Sequence, residues 1–183
     1  MLPFLLNKKI GDALKAIGEG DNSGFDVLYD CIGRTVYLTA YSILGNEPDA
    51  ADTVQDVFLK LYRNADRYDP DAESSAAAYV LRIARNCALD RLRKRKEYVD
   101  IDSVGLAAQE RDPGREEAAG KLGALLSVLD DTDRQIVVMK AGNGLKFKEI
   151  AEALEMKVDA VKKRYQRAVL KIRAAEQGGT DEN

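Results

Sequence analysis

The C-terminal part of the chain shows two apolar patterns at helical spacing, separated by a short gap. The two sets of apolar residues are Phe147, Ile150, Ala151 and Leu154, followed by Val158, Val161, Tyr165, Ala168 and Ile172. Residues three or four apart share one face of an α-helix, so each set predicts one amphipathic helix. The gap, Glu155 to Lys157, has the length of the turn in a helix-turn-helix. The stretch from 145 to 173 therefore predicts two helices that cross closely at Ala151.

The polar side of the second helix is basic. Its cations are Lys162, Lys163, Arg164, Arg167, Lys171 and Arg173, and Asp159 opposes them. A helix that is apolar on one side and basic on the other can lie in the DNA major groove while its partner helix holds it. The alternative is a solvated basic helix in an ordinary bundle. In the turn, Glu155 stands where glycine is usual, and a positive φ at a glutamate costs roughly 1 kcal/mol.

The rest of the chain continues the helical period, and no segment has the alternation typical of a β-strand. The predicted helices span residues 7–17, 22–44, 48–64, 76–98, 115–129 and 132–141. Between 99 and 114 the apolar period is lost and the residues become acidic, which predicts a linker. The expected fold is all-α, with two small helical domains joined by that linker. They are an N-terminal domain over 1–98 and a helix-turn-helix domain over 115–176, followed by a polar tail at 177–183 that we expect to be disordered.

The helix predicted over 48–64 has an acidic face opposite its apolar face. The residues expected in the core are Ala51, Val54, Phe58, Leu61 and Tyr62. The other face carries Asp49, Asp52, Gln55, Asp56 and Lys60. Grouped carboxylates can serve acid–base catalysis or bind a metal, but their spacing places these on a convex surface with no sign of a pocket. A polar docking face and plain solvent exposure are the two other interpretations.

A second group of basic residues lies on the helix predicted over 76–98. Its outward polar residues are Arg82, Arg85, Asn86, Arg93 and Lys96. Tyr68 and Tyr79 flank the loop before it. Cations suit phosphates and aromatic rings stack on unpaired bases, so this region is a candidate for binding single-stranded nucleic acid. Basic residues near a helix C-terminus also favour the helix dipole, which is the simpler interpretation.

Composition narrows the possible chemistry. The formal net charge is only −3, so the two basic groups indicate local contact with phosphates and not a general polycation. Histidine is absent, which excludes His-dependent hydrolysis and a histidine zinc site. Cys31 and Cys87 fall on apolar helix faces and are expected to be buried free thiols. No run is long enough to span a membrane and no metal or nucleophile constellation appears, so we expect no enzyme activity and no cofactor.

Three blocks of sequence, in this order, resemble one family. They are ADTVQDVFLKLYRN, YVLRIARNCALDRLRKRK and LDDTDRQIVVMKAGNGLKFKEIAEALEMKVDAVKKRYQRAVLKIR. From Gly24 to Ala174 the chain resembles bacterial RNA polymerase sigma factors, and its short acidic linker is similar to that of the extracytoplasmic-function group. The resemblance implies a promoter-specificity factor that binds core polymerase, directs it to promoters and helps to open the −10 region.

The resemblance also implies roles for individual residues. Core polymerase is expected to bind at Asp49, Asp52, Gln55 and Asp56. The −10 element is expected to contact Tyr68, Tyr79, Arg82, Arg85, Asn86, Asp90, Arg93 and Lys94. The −35 element is expected to contact Lys146, Lys157, Lys162, Lys163, Arg164 and Arg167. Arginine can bridge guanine with two donors whereas lysine acts as a point charge, so we expect Arg164 or Arg167 to read a base and Lys162 and Lys163 to hold the backbone.

The implied partners are core RNA polymerase (its β′ clamp helices and its β flap), promoter DNA and an anti-sigma factor. Neither a small-molecule substrate nor direct membrane insertion is expected, and the expected location is the cytoplasm. The main alternative is a stand-alone helix-turn-helix regulator of duplex DNA. Stable binding to core polymerase, with promoter-dependent transcription, separates the two. A third class, a helical scaffold or adaptor, predicts no effect on DNA.

Overall fold

The computed structural model describes residues 3–71, 75–101 and 126–178, and every regular element within these ranges is helical. The helices are α1 (Pro3–Gly18), α2 (Ser23–Leu44), α3 (Glu47–Arg63), α4 (Ala76–Ile101), α5 (Asp131–Asn143), α6 (Phe147–Ala153) and α7 (Val158–Gly178). A 3₁₀ turn, Ala65–Arg67, follows α3. The prediction of an all-α fold that ends in a helix-turn-helix is confirmed.

The observed helix ends differ from the predicted ones in a few places. α1 begins earlier, at Pro3, and α4 continues to Ile101, inside the stretch predicted as linker. Most of that linker, most of the helix predicted over 115–129 and the end of the tail lie outside the described residues. The remaining helices begin and end within a few residues of their predicted bounds.

The break between α2 and α3 follows from local sequence. Gly45 ends α2 with a φ of 71°, in the left-handed region that glycine enters without a Cβ clash. Asn46 then caps α3, because its side-chain oxygen accepts a hydrogen bond from Asp49 N at 2.9 Å. Pro48 lies in the first turn of α3, where its missing N–H leaves no hydrogen bond unmade.

α2 forms the centre of the N-terminal half, with α1, α3 and α4 packed against it. Leu28, Ile32 and Val36 of α2 are buried in this core. α1 also fixes the start of α4. Asn7 Oδ1 accepts a hydrogen bond from Ser75 Oγ at 2.8 Å and another from Ala77 N at 3.0 Å.

The buried face of α3 is rotated relative to the predicted one. Ala51 and Tyr62 were expected in the core but are exposed, so this part of the prediction is wrong. The buried residues are Ala50, Thr53, Val54, Val57, Phe58 and Leu61. α3 packs against both α2 and α4, so its buried face lies between these two partners. Thr53 is tolerated there because its hydroxyl donates to Asp49 O at 2.7 Å.

The turn of the helix-turn-helix places a glutamate in the left-handed region. Met156 N donates to Ala151 O at 2.8 Å and Glu155 N donates to Glu152 O at 3.1 Å, which are the two hydrogen bonds of a Schellman motif. That motif requires a positive φ at its turning residue, and the φ of Glu155 is 55°. The backbone strain expected from the sequence at this position is therefore present.

α5 lies antiparallel along α2 and joins the C-terminal helices to the N-terminal half. Arg134 Nη1 donates to Ser42 O at 3.0 Å near one end of the contact, and Gly142 lies beside Thr35 near the other. Thr35, Thr39 and Ser42 of α2 are all buried. α6 in turn packs against α4, and apolar residues of both halves belong to one continuous buried cluster. The helix-turn-helix is thus seated against the helix that carries most of the predicted −10 residues.

Candidate nucleic-acid and protein interfaces

The acidic face of α3, formed by Asp49, Asp52, Gln55 and Asp56, is open to solvent at its centre. The side chains of Asp52 and Asp56 are 61% and 54% exposed, and Gln55 is exposed beside them. Asp49 is more enclosed, because Asn46 Nδ2 donates to its Oδ2 at 2.8 Å. Within the described residues, no group of three or more Cys, Asp or Glu side chains is arranged to hold a metal ion. The geometry fits a docking stripe better than a chemical site.

An arginine of α4 joins this acidic face to the neighbouring helix. Arg91 Nη2 lies 2.7 Å from Asp56 Oδ2, and Arg91 Nη1 lies 3.1 Å from Asp52 Oδ2 and 3.7 Å from Asp49 Oδ1. One turn further along, Arg95 Nη1 lies 3.5 Å from Asp49 Oδ2. Burial lowers the pKa of Arg91, but its hydrogen bonds to Asp56 and Asp52 outweigh burial and the pKa is raised. The acidic face is therefore both a surface and part of the contact between α3 and α4.

Arg91 and Arg95 are absent from the site residues predicted from the sequence. Their spacing did indicate that Arg91 and Arg95 share one side of the helix, because they are four residues apart. Arg93, between them, points in a different direction. The spacing does not say what lies opposite them. Only the packing of α3 on α4 brings the carboxylates within reach.

The predicted −10 residues begin with a pair of tyrosines. The rings of Tyr68 and Tyr79 are half-buried with centroids 5.3 Å apart, and Arg82 Cζ lies 5.7 Å from the centroid of the Tyr79 ring. A Cβ added at Gly11 would lie 3.3 Å from Tyr68 Oη, so α1 supports this ring closely. Residues 72–74, in the loop between the tyrosines, lie outside the described residues. The structure thus brings three of the predicted residues together at the start of α4.

The remaining −10 candidates follow along α4. Arg85 is half-buried, and its enclosed Nε has no hydrogen-bond partner among the residues that the structure describes. Asn86, Asp90, Arg93 and Lys94 are exposed. Arg93 Nη1 lies 3.2 Å from Asp90 Oδ1, an ion pair within the helix. These residues form a polar surface that continues from the tyrosine pair.

On α7, the predicted −35 residues separate into two groups. Lys162, Lys163 and Arg167 are exposed, as are Lys146 before α6 and Lys157 before α7. A shallow depression on the outer face of α7 is lined by Lys163, Gln166, Arg167 and Leu170. This face offers cations, an amide and an apolar side chain to a groove of DNA.

Arg164 points the other way, to the N-terminus of α5. Its Nη2 lies 2.6 Å and 2.8 Å from the two carboxylate oxygens of Asp130, and its Nε lies 2.7 Å from Asp133 Oδ1. The Asp133 side chain is only 4% exposed, and Asp130 caps α5 by accepting from Asp133 N at 2.8 Å. Burial raises the pKa of Asp130, but that hydrogen bond and Arg164 outweigh burial and the pKa is lowered. Arg164 therefore ties α7 to α5, and Arg167 is the arginine of the predicted pair that is exposed.

An open apolar groove lies between α2, α3 and α5, with a volume of about 2000 Å³. Tyr29, Leu59 and Tyr62 line it, and each is about half exposed. Phe58 lies behind them, with its ring centroid 5.0 Å from that of Tyr29. Exposed apolar surface of this kind is typical of a protein-interaction site.

The two cysteines differ in environment. Cys87 is buried, as expected, and burial raises the pKa of its thiol, which Lys60 only partly offsets. Cys31 is only half-buried, so for this residue the expected burial is incomplete. Both are free thiols. In the part of the chain that the structure describes, no helix is long and apolar enough to cross a membrane.

Two family profiles match the chain. Residues 28–98 match Sigma-70 region 2, and residues 119–172 match Sigma-70, region 4. The first match contains the acidic face of α3, the tyrosine pair and the polar surface of α4. The second contains the helix-turn-helix and the basic face of α7.

The relatives match over nearly their whole length. The chain is 29% identical over 181 residues to the ECF RNA polymerase sigma factor SigW of Bacillus subtilis. The match covers 91% of this chain and 94% of SigW. It is 26% identical over 180 residues to the ECF RNA polymerase sigma factor SigK of Mycobacterium bovis. This match covers 93% of the chain and 95% of SigK.

Solved structures share the fold. CnrH, in complex with the cytosolic domain of CnrY, matches with a TM-score of 0.71 and 26% identity, over 93% of this chain and 98% of CnrH. The sigma factor RpoE in complex with the anti-sigma factor NepR, from Bartonella quintana, matches with a TM-score of 0.70 and 20% identity, over 84% of this chain and 96% of RpoE.

Proposed function

Because the chain belongs to the extracytoplasmic-function group of RNA polymerase sigma factors, we propose that three of its surfaces each serve a different step of promoter-specific initiation. These are the acidic face of α3, the polar surface at the start of α4 and the basic face of α7. The protein binds core RNA polymerase and directs transcription initiation at promoters. Sigma factors are non-catalytic initiation factors, and we assign no reaction to this chain. Its place of action is the cytoplasm, where polymerase and promoter DNA meet.

The acidic face of α3 is the surface that docks on core polymerase, at the β′ clamp helices. Two properties support this assignment. Asp52, Gln55 and Asp56 are exposed along one stripe of a well-packed helix, so a rigid element presents them. Asp52 and Asp56 each contact Arg91 through one carboxylate oxygen, Oδ2, so these two side chains can still accept from further donors.

The −10 element is bound at the start of α4. The tyrosine pair supplies aromatic surface on which an unstacked base can lie, and Arg82 and the exposed residues further along supply polar and cationic contacts. Stacking of this kind needs bases outside the duplex, so the surface is suited to the opened strand. Arg85, Asn86, Asp90, Arg93 and Lys94 extend it along α4.

The −35 element is bound by the outer face of α7. Arg167 is the base-reading candidate, because it is exposed and can bridge guanine with two donors. Lys162 and Lys163, with Lys146 and Lys157, are placed to contact phosphates. Arg164 holds α7 at a fixed angle to α5 through its carboxylate contacts.

One observation favours this function over that of a stand-alone regulator of duplex DNA. A regulator of duplex DNA needs the helix-turn-helix alone, whereas this chain also presents an ordered acidic face on α3, beside the tyrosine pair and polar surface of α4. An acidic face repels DNA and suits a protein partner. A chain with both kinds of surface is suited to bridge polymerase and promoter.

An anti-sigma factor is the further partner of this chain. The related CnrH and RpoE structures are complexes, the second with the anti-sigma factor NepR. The apolar groove lined by Tyr29, Leu59 and Tyr62 offers such a protein an exposed surface that is already formed.

The test removes the charges of the acidic face without changing its shape. Asp52→Asn with Asp56→Asn should weaken binding to core polymerase by more than about tenfold and reduce promoter-dependent transcription accordingly, because charge pairs in an interface are worth several kcal/mol. Asn is preferred to Arg here because Arg91 lies beside both positions.

A matched control replaces two exposed acids, Asp12→Asn in α1 with Glu19→Gln just after it, which changes the net charge equally. This control should bind core polymerase like the parent protein. Fluorescence titration measures the affinity of each double variant for core polymerase, and the melting temperature of each shows whether it is folded. Equal affinities for both double variants would reject the acidic face as the docking surface.

A further inference from the structure

Arg91 belongs to two of the surfaces described above. Its backbone lies in α4, next to the −10 candidates Asp90 and Arg93. Its guanidinium lies on α3, 2.7 Å from Asp56 and 3.1 Å from Asp52. Its side chain is 27% exposed, so it is partly open to solvent while it holds both carboxylates. Arg91 therefore joins the two most exposed docking carboxylates, Asp52 and Asp56, to the −10 helix.

The contacts of Arg91 are of a kind that a partner can replace. Asp52 and Asp56 are more than half exposed, and ion pairs with exposed groups are weak because water screens them. A cationic group that docks on these carboxylates competes with Arg91 for them. A guanidinium that loses its carboxylates is in turn a strong binder of phosphate, with two parallel donors.

We propose that Arg91 is a positioning residue that couples polymerase docking to binding of the −10 strand. This proposal rests on the proposed function of the acidic face. Polymerase that engages Asp52 and Asp56 releases Arg91 toward the DNA backbone, and DNA phosphate that engages Arg91 releases the two carboxylates toward polymerase. The Arg91 contacts are broken by whichever ligand binds first, so the second ligand does not have to break them again. Polymerase and DNA therefore each strengthen the binding of the other by the same factor.

Neighbouring cations on α4 do not have this arrangement. Arg93 pairs with Asp90 of its own helix at 3.2 Å. Arg95 approaches Asp49 at 3.5 Å, away from the two most exposed carboxylates. Arg93 is therefore a matched control, since it is a cation of the −10 surface without a contact to the acidic face.

The experiment measures the affinity of the full chain for core polymerase with and without a single DNA strand. The strand carries the non-template −10 sequence of a promoter that the protein transcribes with core polymerase in vitro. In the parent protein, the strand should tighten core binding by about 5- to 150-fold, the usual range of allosteric coupling. In Arg91→Ala this factor should fall to about one, and in Arg93→Ala the strand should bind more weakly while the factor is kept.

A second readout separates coupling from a merely structural ion pair. Without DNA, Arg91→Ala should bind core polymerase more tightly than the parent protein, because an internal competitor for the carboxylates is gone. A structural clamp predicts weaker binding instead. Arg91→Lys keeps the charge but not the two-donor fork, so it should retain part of the coupling. The same variant replaces Arg91→Ala in the experiment if Arg91→Ala folds poorly.

Four results are decisive. An unchanged coupling factor in Arg91→Ala, or no coupling in the parent protein, overturns the role of Arg91. Weaker core binding by Arg91→Ala without DNA also overturns it. If the variant with Asp52→Asn and Asp56→Asn binds core polymerase normally, the proposed docking face itself fails, whatever Arg91 does.

Discussion

Glu155 adopts a backbone conformation that residues with a Cβ rarely occupy, with a φ of 55° just after α6. The Schellman hydrogen bonds of Glu155 N and Met156 N hold it there, so the turn geometry takes precedence over the local preference of the residue. The strain lies in the turn that sets the angle between the two helices of the DNA-binding motif. The sequence indicated it, because a tight helix-turn-helix turn needs one left-handed residue.

Replacing this residue by glycine should stabilise the protein. Glu155→Gly is expected to raise the free energy of unfolding by about 0.5–1 kcal/mol, because glycine enters the left-handed region without a clash. Chemical denaturation with urea measures the change. Gln166→Gly, at an exposed position inside α7, is the control and should lower the free energy of unfolding by about 0.5–1 kcal/mol. Destabilisation by both substitutions would show that Glu155 is not strained.

The two arginines of α7 should differ in binding to a library of −35 sequences. Arg167→Ala should cost about 1–3 kcal/mol and relax the preference at one position, because an exposed arginine that bridges a base carries specificity. Arg164→Ala should weaken all sequences alike and lower the melting temperature, because Asp133 then stays buried without its cation. Lys162→Ala, the phosphate control, should reduce the salt slope by about one. A shift in preference with Arg164→Ala alone would reverse the assignment.

At the scale of the elements, α2 shows how far a periodic pattern leads. Its helical period predicted a helix over 22–44, and apolar residues of that period, for example Ile32 and Val36, are buried against the other N-terminal helices. Its second buried side, with Thr35, Thr39 and Ser42, is polar in sequence and gives no signal for a core. It is buried because α5 packs on it, a contact that joins distant parts of the chain.

The buried hydroxyl of Thr39 lacks a hydrogen-bond partner among the described residues. Thr39→Val keeps the shape and removes this unpaired group, so the free energy of unfolding should rise by about 1 kcal/mol. Ser42→Ala is the contrast, since Ser42 Oγ donates to Thr39 O at 2.7 Å and its removal should cost about 1 kcal/mol. Thermal denaturation of both variants measures the difference. A loss of stability in Thr39→Val would mean that water or another group pairs with the hydroxyl.

At the scale of the whole molecule, the two halves are packed together while the two promoter elements lie apart. The −10 and −35 elements are separated by about 25 base pairs, or roughly 85 Å at about 3.4 Å each. A compact chain of this length has a radius of gyration of about 16 Å. We therefore expect α5 to leave α2 before one chain binds both elements, because the closed arrangement is too compact to reach across that distance. A contact that contains buried hydroxyls and Arg134 suits this change, because water can solvate those groups after separation.

A disulfide between α2 and α5 should hold the protein in its closed arrangement. A Cβ added at Gly142 would lie 3.8 Å from Thr35 Oγ1, so Thr35→Cys with Gly142→Cys places two thiols within bonding reach. In a background with Cys31→Ser and Cys87→Ala, the oxidised protein should lose promoter-dependent transcription with core polymerase, and reduction should restore it. Each single cysteine variant is the control and should be insensitive to oxidant. Full activity of the oxidised protein would show that the halves need not separate.

Within the described residues, the sequence by itself determined the helices, the helix-turn-helix and most of the polar and basic helix faces, but not the rotated face of α3 or the buried polar side of α2. These features depend on capping, turn residues and spacing within a few residues, as at Gly45, Asn46 and Glu155. Tertiary structure alone decided which polar residues meet. Arg91 reaches Asp56 across 35 residues of sequence, and Arg164 reaches Asp130 across 34. Periodicity gives the direction of a side chain on its own helix, but its partner depends on how two helices pack, and that packing is fixed by the whole core.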